Sequence, residues 1–293
     1  MHDIGIVINV DTRPGFEEEY VYCGMPTATG VGGACGARST DFITANVWNK
    51  IQFFRDYDIE VTLYVDLHEN IPNDLARELN QMLCRGEIHN LIMARHTKQF
   101  MGKYLRQWQD SLYLNACMMS RSKYLVHFDA DTSCYRRDDC KIIDKWIELL
   151  EQYKYISYPT YFSPNEGDVP GTNALPAPEG GFDYLWASTR FFMCKRETLD
   201  YNQIVRLFDD DVWKEAHGKR PMRYPNVFEQ IIGFLAGPGQ VCYSSKDIEN
   251  FMLFCWHHYH LGTIPRLNKL SYDEVYSYIV NERGGIQGAC DIN

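Results

Sequence analysis

Apolar residues in the first half of the chain follow two alternating rhythms, and each predicts an element. Short runs of β-branched and aliphatic residues predict buried strands over 4–10, 60–66, 89–94 and 123–128. Between them apolar positions recur at helical spacing. Ile43, Val47, Ile51 and Phe54 predict a helix over 41–57. Leu75, Leu79, Met82 and Leu83 predict a second helix, opened by Pro72. Trp108, Leu112, Ala116 and Met119 predict a third, over 102–119. Strands that alternate with helices form a mostly parallel sheet with right-handed crossovers. The expected fold class is therefore α/β, a central sheet flanked by helices.

The second half continues less regularly. Ile142, Ile143, Trp146, Ile147 and Leu150 predict a helix over 138–153. Extended segments are expected over 155–161, 184–193, 240–244 and around 253–259, with helices over 199–216 and 226–235. Ser271-Tyr272-Asp273-Glu274 is a capping box that starts a last helix. Residues 16–40 and 163–182 are rich in Gly or Pro and lack apolar periodicity. Both read as mobile loops, the first as a long loop or short hairpin able to close over a ligand. No repeat or linker divides the chain, so residues 1–293 read as one domain.

The strand over 123–128 runs straight into Asp129-Ala130-Asp131. Side chains alternate along a strand, so positions 129 and 131 share a side. Two carboxylates so placed repel, and one takes up a proton unless a cation lies between them. Such a pair at a strand's end seats a divalent ion, and through it an anionic ligand such as a diphosphate. Ligands on parallel sheets lie beyond the C-terminal ends of the strands. Asp11, Thr12, Arg13, Asp66 and Asp129 all fall at such ends.

The order helix, strand, Asp129-Ala130-Asp131 resembles the GT-A glycosyltransferases, enzymes that use nucleotide sugars. The resemblance spans residues 4–260 in element order, with a motif-level match at Asp129. It implies a GT-A fold in which 1–132 bind the donor and 133–293 face the acceptor. It implies that Asp129 and Asp131 hold Mn²⁺ or Mg²⁺, with Asp129 also at the ribose of a UDP- or GDP-sugar. A late histidine completes the metal shell in many members; Trp256-His257-His258-Tyr259-His260 supplies candidates, His258 and His260 ahead of His257. The remaining donor contacts it suggests are Val10, Thr12, Arg13, Asp66, Lys103 and Arg106. Glu229 is the candidate catalytic carboxylate, with Asp183 in reserve and Asp209 behind it. Glu229-Gln230 departs from the Glu-Asp common in inverting members, and Asn226-x-x-Glu229 is equally a capping box. Asp209, Asp210 and Asp211 together read as a solvated helix end.

The partners the resemblance implies are a nucleotide-sugar donor and a glycan acceptor, and composition bears on the other classes. A net charge of −10 disfavours nucleic acid and anionic membrane surfaces. The ten cysteines include no Cys-x-x-Cys, which disfavours a structural zinc. No leader pattern is seen, and no apolar run approaches the roughly 20 residues of a membrane span. The expected setting is cytoplasmic. Twenty tyrosines and six tryptophans suit a sugar cleft or a core equally well. Two alternatives stand beside the transferase. One is a nucleotidyltransferase, for which Asp11-Thr12-Arg13-Pro14-Gly15 is a poor phosphate loop. The other is a non-catalytic nucleotide-sugar-binding protein. The sugar, the acceptor, the oligomeric state and the stereochemical outcome are left open.

Overall fold

A computed structural model of the chain describes residues 2–11, 21–22, 25–26, 40–66, 73–94, 114, 117–128, 132–157, 175–176, 191–218, 227–237, 239–243, 250–255 and 270–277. In chain order the elements are β1 (Ile4–Asp11), β2 (Val21–Tyr22), β3 (Met25–Pro26), α1 (Thr40–Phe53), β4 (Ile59–Asp66), α2 (Asn73–Arg85) and β5 (Asn90–Ala94). There follow β6 (Tyr124–Phe128), β7 (Thr132–Arg136), α3 (Ile142–Leu149), β8 (Tyr155–Ser157), β9 (Leu175–Pro176) and β10 (Phe191–Lys195). The last are α4 (Tyr201–Leu207), α5 (Asp210–Ala216), α6 (Val227–Ala236), β11 (Val241–Tyr243), β12 (Phe251–Cys255) and α7 (Tyr272–Ser277).

One sheet of eight strands runs in the order β5-β4-β1-β6-β10-β8-β11-β9. The pairs β5/β4, β4/β1, β1/β6 and β8/β11 are parallel. β10 lies antiparallel between β6 and β8, and β9 is antiparallel at the edge. The expected α/β class, a mostly parallel sheet flanked by helices, holds. From β1 the chain steps outward to β4 and β5, then returns to the other side of β1 as β6. That reversal is a topological switch point. Beyond β6 the order leaves the Rossmann sequence 3-2-1-4-5-6, because an antiparallel strand intervenes.

The period of two along each strand sorts side chains onto two cores. Ile6, Ile8, Val126, Phe128, Phe191 and Met193 face α1, α2 and α3. Val7, Leu125, Phe192, Cys194 and Val241 face Leu114, Cys117 and α4 to α6.

Several boundaries differ from the sequence expectation. α1 stops at Phe53, where a turn closed by Arg55 N–H on Gln52 O leads toward β4. The helix expected over 199–216 is two. The Asp209 carboxylate accepts from the N–H groups of Asp211 and Val212 and begins α5 afresh. Three aspartates at a helix start also suit its dipole, so the reading of a helix end was correct. Around 114–119, Leu114 and Cys117 are buried while Met119 is 53% exposed, so the buried face is not the one expected. Leu83 is likewise exposed beside buried Leu75, Leu79 and Met82. The Ser271–Glu274 capping box forms: Ser271 N–H donates to Glu274 Oε2 at 2.8 Å, and Glu274 N–H donates to Ser271 Oγ at 3.4 Å. β2 and β3 form a small antiparallel hairpin. The rest of 16–39, and 163–182 apart from β9, lie outside the described residues.

Candidate functional site

β1 and β6 pair from Ile4 with Tyr124 up to Ile8 with Phe128. β1 then continues to Asp11, in register with Asp66 of β4, which is itself in register with Ala94 of β5. β6 is described as far as Phe128, opposite Ile8. Phe128 and its cross-strand partner Phe191 are both fully buried.

α1 holds the strand that follows. Lys50 Nζ donates to the carbonyl of Thr132, and Asn46 Nδ2 donates to the same carbonyl at 3.4 Å. Asn49 takes both backbone groups of Cys134: its Nδ2 donates to Cys134 O and its Oδ1 accepts from Cys134 N–H, each at 2.8 Å. One amide side chain so stands in for a neighbouring strand. Lower down, Arg136 Nε donates to Phe53 O at 2.5 Å and its Nη2 to Asp56 at 2.5 Å. β7 therefore runs alongside α1 in the same direction, opposite to β6. Between Phe128 and Thr132 the chain reverses. Burial pushes the Cys134 thiol up to about 12, which keeps it neutral.

β7 pairs antiparallel with β12, from Arg136 with Phe251 to Thr132 with Cys255. The residue after Asp131 is thus cross-strand from the residue before Trp256. Phe251 packs edge-on to Trp146 of α3, with centroids 5.9 Å apart, which fixes this ladder on the core.

α6 approaches from the other face. Gly237 at φ 87° and Gly239 at φ 70° turn its C-terminus into β11, backbone geometry that side-chain-bearing residues rarely adopt. β11 is parallel to β8, and both run as β6 does. α6 must then descend from the C-terminal edge, which puts its first turn, with Glu229, near that edge. Phe228 packs 6.3 Å from Phe192, whose cross-strand partner is His127. Glu229 is buried at 5% exposure and Gln230 at 1%. His127 is fully buried and stacked on Phe192 at 5.3 Å.

Of the expected site residues, Glu229 is described in full. Val10 and Asp66 are described in backbone, both at strand ends. Thr12, Arg13, Lys103, Arg106, Asp129, Asp131, Asp183, His258 and His260 lie outside the described residues. Among the described residues no group of three or more His, Cys, Asp or Glu could hold a metal. The sequence reading passed over Lys50, Asn46, Asn49 and His127. The only signal was indirect: polar residues at 46, 49 and 50 share the helix face beside the apolar stripe.

No family model matches the chain, and no curated protein matches it. Solved structures it resembles include those of GT-A glycosyltransferases. TarS from S. aureus superposes with a TM-score of 0.40 at 10% identity, over 83% of this chain and 36% of that one. TarS 1-349 in complex with UDP gives 0.40 at 8%, over 99% and 75%. The mannosyltransferase Ktr4p from S. cerevisiae, in complex with GDP, gives 0.41 at 7%, over 85% and 70%. No described helix is long and apolar enough to cross a membrane.

Proposed function

We propose that the chain is a glycosyltransferase of the GT-A type, moving a sugar from a nucleoside diphosphate to a hydroxyl of a glycan or other acceptor. The observation that carries this reading is the pairing of Thr132 with Cys255 beside the switch point. Paired antiparallel Cα atoms lie about 5 Å apart, and each chain step adds about 3.8 Å. Covalent geometry alone therefore keeps Asp131 and Trp256 within one step of that pair, and His258 within three. Thr132 follows the acidic pair and Cys255 precedes the histidine run, and the two are cross-strand partners.

A carboxylate pair with an imidazole suits Mn²⁺, or Mg²⁺ on oxygen ligands alone. Asp129, Asp131 and either His258 or His260 would hold it. When bound, such an ion neutralises charge that develops on the leaving diphosphate. The other roles belong to the chain. Val10, Thr12, Arg13 and Asp66 bind the nucleoside, and Asp129 also takes the ribose. Lys103 and Arg106 pair with diphosphate oxygens. Glu229 accepts the proton of the acceptor hydroxyl, or steadies positive charge at the anomeric carbon, as the bond to the diphosphate breaks and the bond to the acceptor forms. Asp183 is the reserve for that role; Asp209 is committed to its helix cap. The proposed setting is cytoplasmic.

Calorimetry with UDP and GDP, each with and without Mn²⁺, tests the reading. Binding of one diphosphate that requires the ion is expected. Absence of binding under every condition overturns it. Release of pyrophosphate from a nucleoside triphosphate and a sugar phosphate would move the assignment to the nucleotidyltransferases.

A further inference from the structure

We infer that the His89 ring is a pH-sensitive latch at the foot of β5, closed while the ring is neutral and opened when it takes up a proton.

Among the described residues β5 is the outer strand of the main sheet, and His89 stands one residue before it. His89 takes both backbone groups of Val61 on the neighbouring β4. Its own N–H donates to Val61 O at 2.8 Å, and its Nδ1 accepts from Val61 N–H at 3.0 Å. A backbone N–H can only donate, so Nδ1 carries no proton, and the neutral ring holds its proton on Nε2. An imidazolium has no acceptor left. Protonation therefore sets one N–H against another, the ring swings away, and Val61 N–H loses its partner.

The neighbouring ring is used in the opposite sense. His2 Nδ1 donates to Asp58 Oδ1 at 2.6 Å, and the His2 ring meets the His89 ring edge-on, with centroids 5.0 Å apart. The charged groups that face His89 are His2, Asp58 in the turn before β4, and Glu60 on β4. On the turn that leads into His89, Glu87 is held by Arg85. Burial, and after it the His2 charge, push the His89 ring down from 6.5, against the opposite pull of Glu60 and Asp58. Between the folded and unfolded values the folded chain thus holds fewer protons than the unfolded one. The stability the latch supplies is full above pH 6.5 and is lost as pH falls through the folded value.

Amide exchange at Val61, expressed as protection relative to an unstructured chain, is followed from about pH 8 to about pH 5 in the parent, His89→Asn and His89→Leu. Asn sets an oxygen where His89 Nδ1 stands and does not titrate, so it keeps the latch closed. In the parent, protection at Val61 should fall about tenfold or more over that range, while Val126, on a central strand, stays protected. In His89→Asn it should hold at the parent's high-pH level throughout, and in His89→Leu it should be low throughout. Constant protection in the parent, or an equal fall in His89→Asn, overturns the inference. The ring nitrogen resonances of the parent give a readout that needs no variant. At about pH 8 the proton should sit on Nε2, and a ring protonated on Nδ1 there overturns the inference as well.

Discussion

The two ends of the main sheet handle carboxylates in opposite ways. At the N-terminal edge, Glu60 accepts from Ser120 Oγ at 2.6 Å, Ser122 Oγ at 3.0 Å, Arg121 N–H at 3.1 Å and Asn90 Nδ2 at 2.9 Å. Its donors come from the strand beside it and from the approach to β6, and the chain itself meets its needs. At the C-terminal edge, Asp11 and Asp66 occupy neighbouring register positions, one strand spacing apart. The next strand on the other side leads into Asp129 and Asp131. Like charges on adjacent strands destabilise a sheet. The lower edge spends its polar groups on holding strands together, whereas at the upper edge the backbone register sets Asp11 beside Asp66.

The largest expected effect lies at the upper edge. Asp131→Asn should lower Mn²⁺-dependent affinity for UDP or GDP by about 100-fold or more, since a direct ligand matters at least as much as the groups behind it. Thermal stability should stay near that of the parent. A variant that retains the parent's metal-dependent affinity would take Asp131 out of the site. An effect of comparable size is expected of Glu229→Gln. It should slow transfer by about 10²–10⁴, while donor binding stays near the parent value. If Glu229 only caps α6, turnover stays and the cost is at most about 0.5–2 kcal/mol in melting. Measuring turnover and denaturation on the same preparation separates the two.

The strands of the upper edge could be read from the sequence because each is an apolar run bounded by polar residues. β1, β4, β5 and β6 begin within a residue of where the pattern starts them. β7 could not be read. Thr132-Ser133-Cys134-Tyr135-Arg136 has no apolar alternation, yet all five residues are buried. Thr132, Cys134 and Arg136 take polar partners from α1, more than 80 residues earlier, and no local pattern reports that. Lys50 was missed for the complementary reason: a lysine in a helix is ordinarily exposed, whereas here Trp48 is 40% exposed and Lys50 is buried. The acidic pair and the late histidines could be named from residue type and order. The β7–β12 register, which sets Thr132 opposite Cys255, could not be named that way and comes from the fold.

The lower edge makes the opposite prediction, large in stability and negligible in ligand binding. A Cβ on Gly5 would run into Ser120 Oγ and lie 3.1 Å from both Ser120 Cβ and Ser122 Cβ. Ser120 Oγ cannot easily yield, because it is held on Glu60. Gly5→Ala should therefore cost about 3 kcal/mol, the upper end for overpacking. Denaturant unfolding measures this directly. A loss below about 1 kcal/mol would show that the Ser120 knot is slack. Any fall in diphosphate affinity beyond the unfolded fraction would show that the two edges are coupled.

The smallest effect is the most diagnostic for the lower edge, because its pH dependence has a definite sign. Burial pushes the Glu60 carboxyl up, but hydrogen bonds from Ser120, Asn90, Ser122 and the Arg121 N–H outweigh it, and the net shift is downward from 4.5. A carboxylate with a depressed folded pKa binds fewer protons folded than unfolded in the window between the two values. Stability from Glu60 is then fully present above pH 4.5 and is lost as pH falls through the folded pKa. Glu60→Gln keeps an acceptor for the two serines and the Arg121 N–H but turns an amide toward Asn90 Nδ2, a donor against a donor. It should cost about 1–2 kcal/mol at pH 7. The gap between parent and variant should stay constant down to about pH 4.5 and then narrow. Denaturation at pH 7, 5, 4 and 3 tests both parts. A gap that is the same at every pH would mean that Glu60 acts by shape rather than by charge, and the contrast between the two edges would then rest on geometry alone.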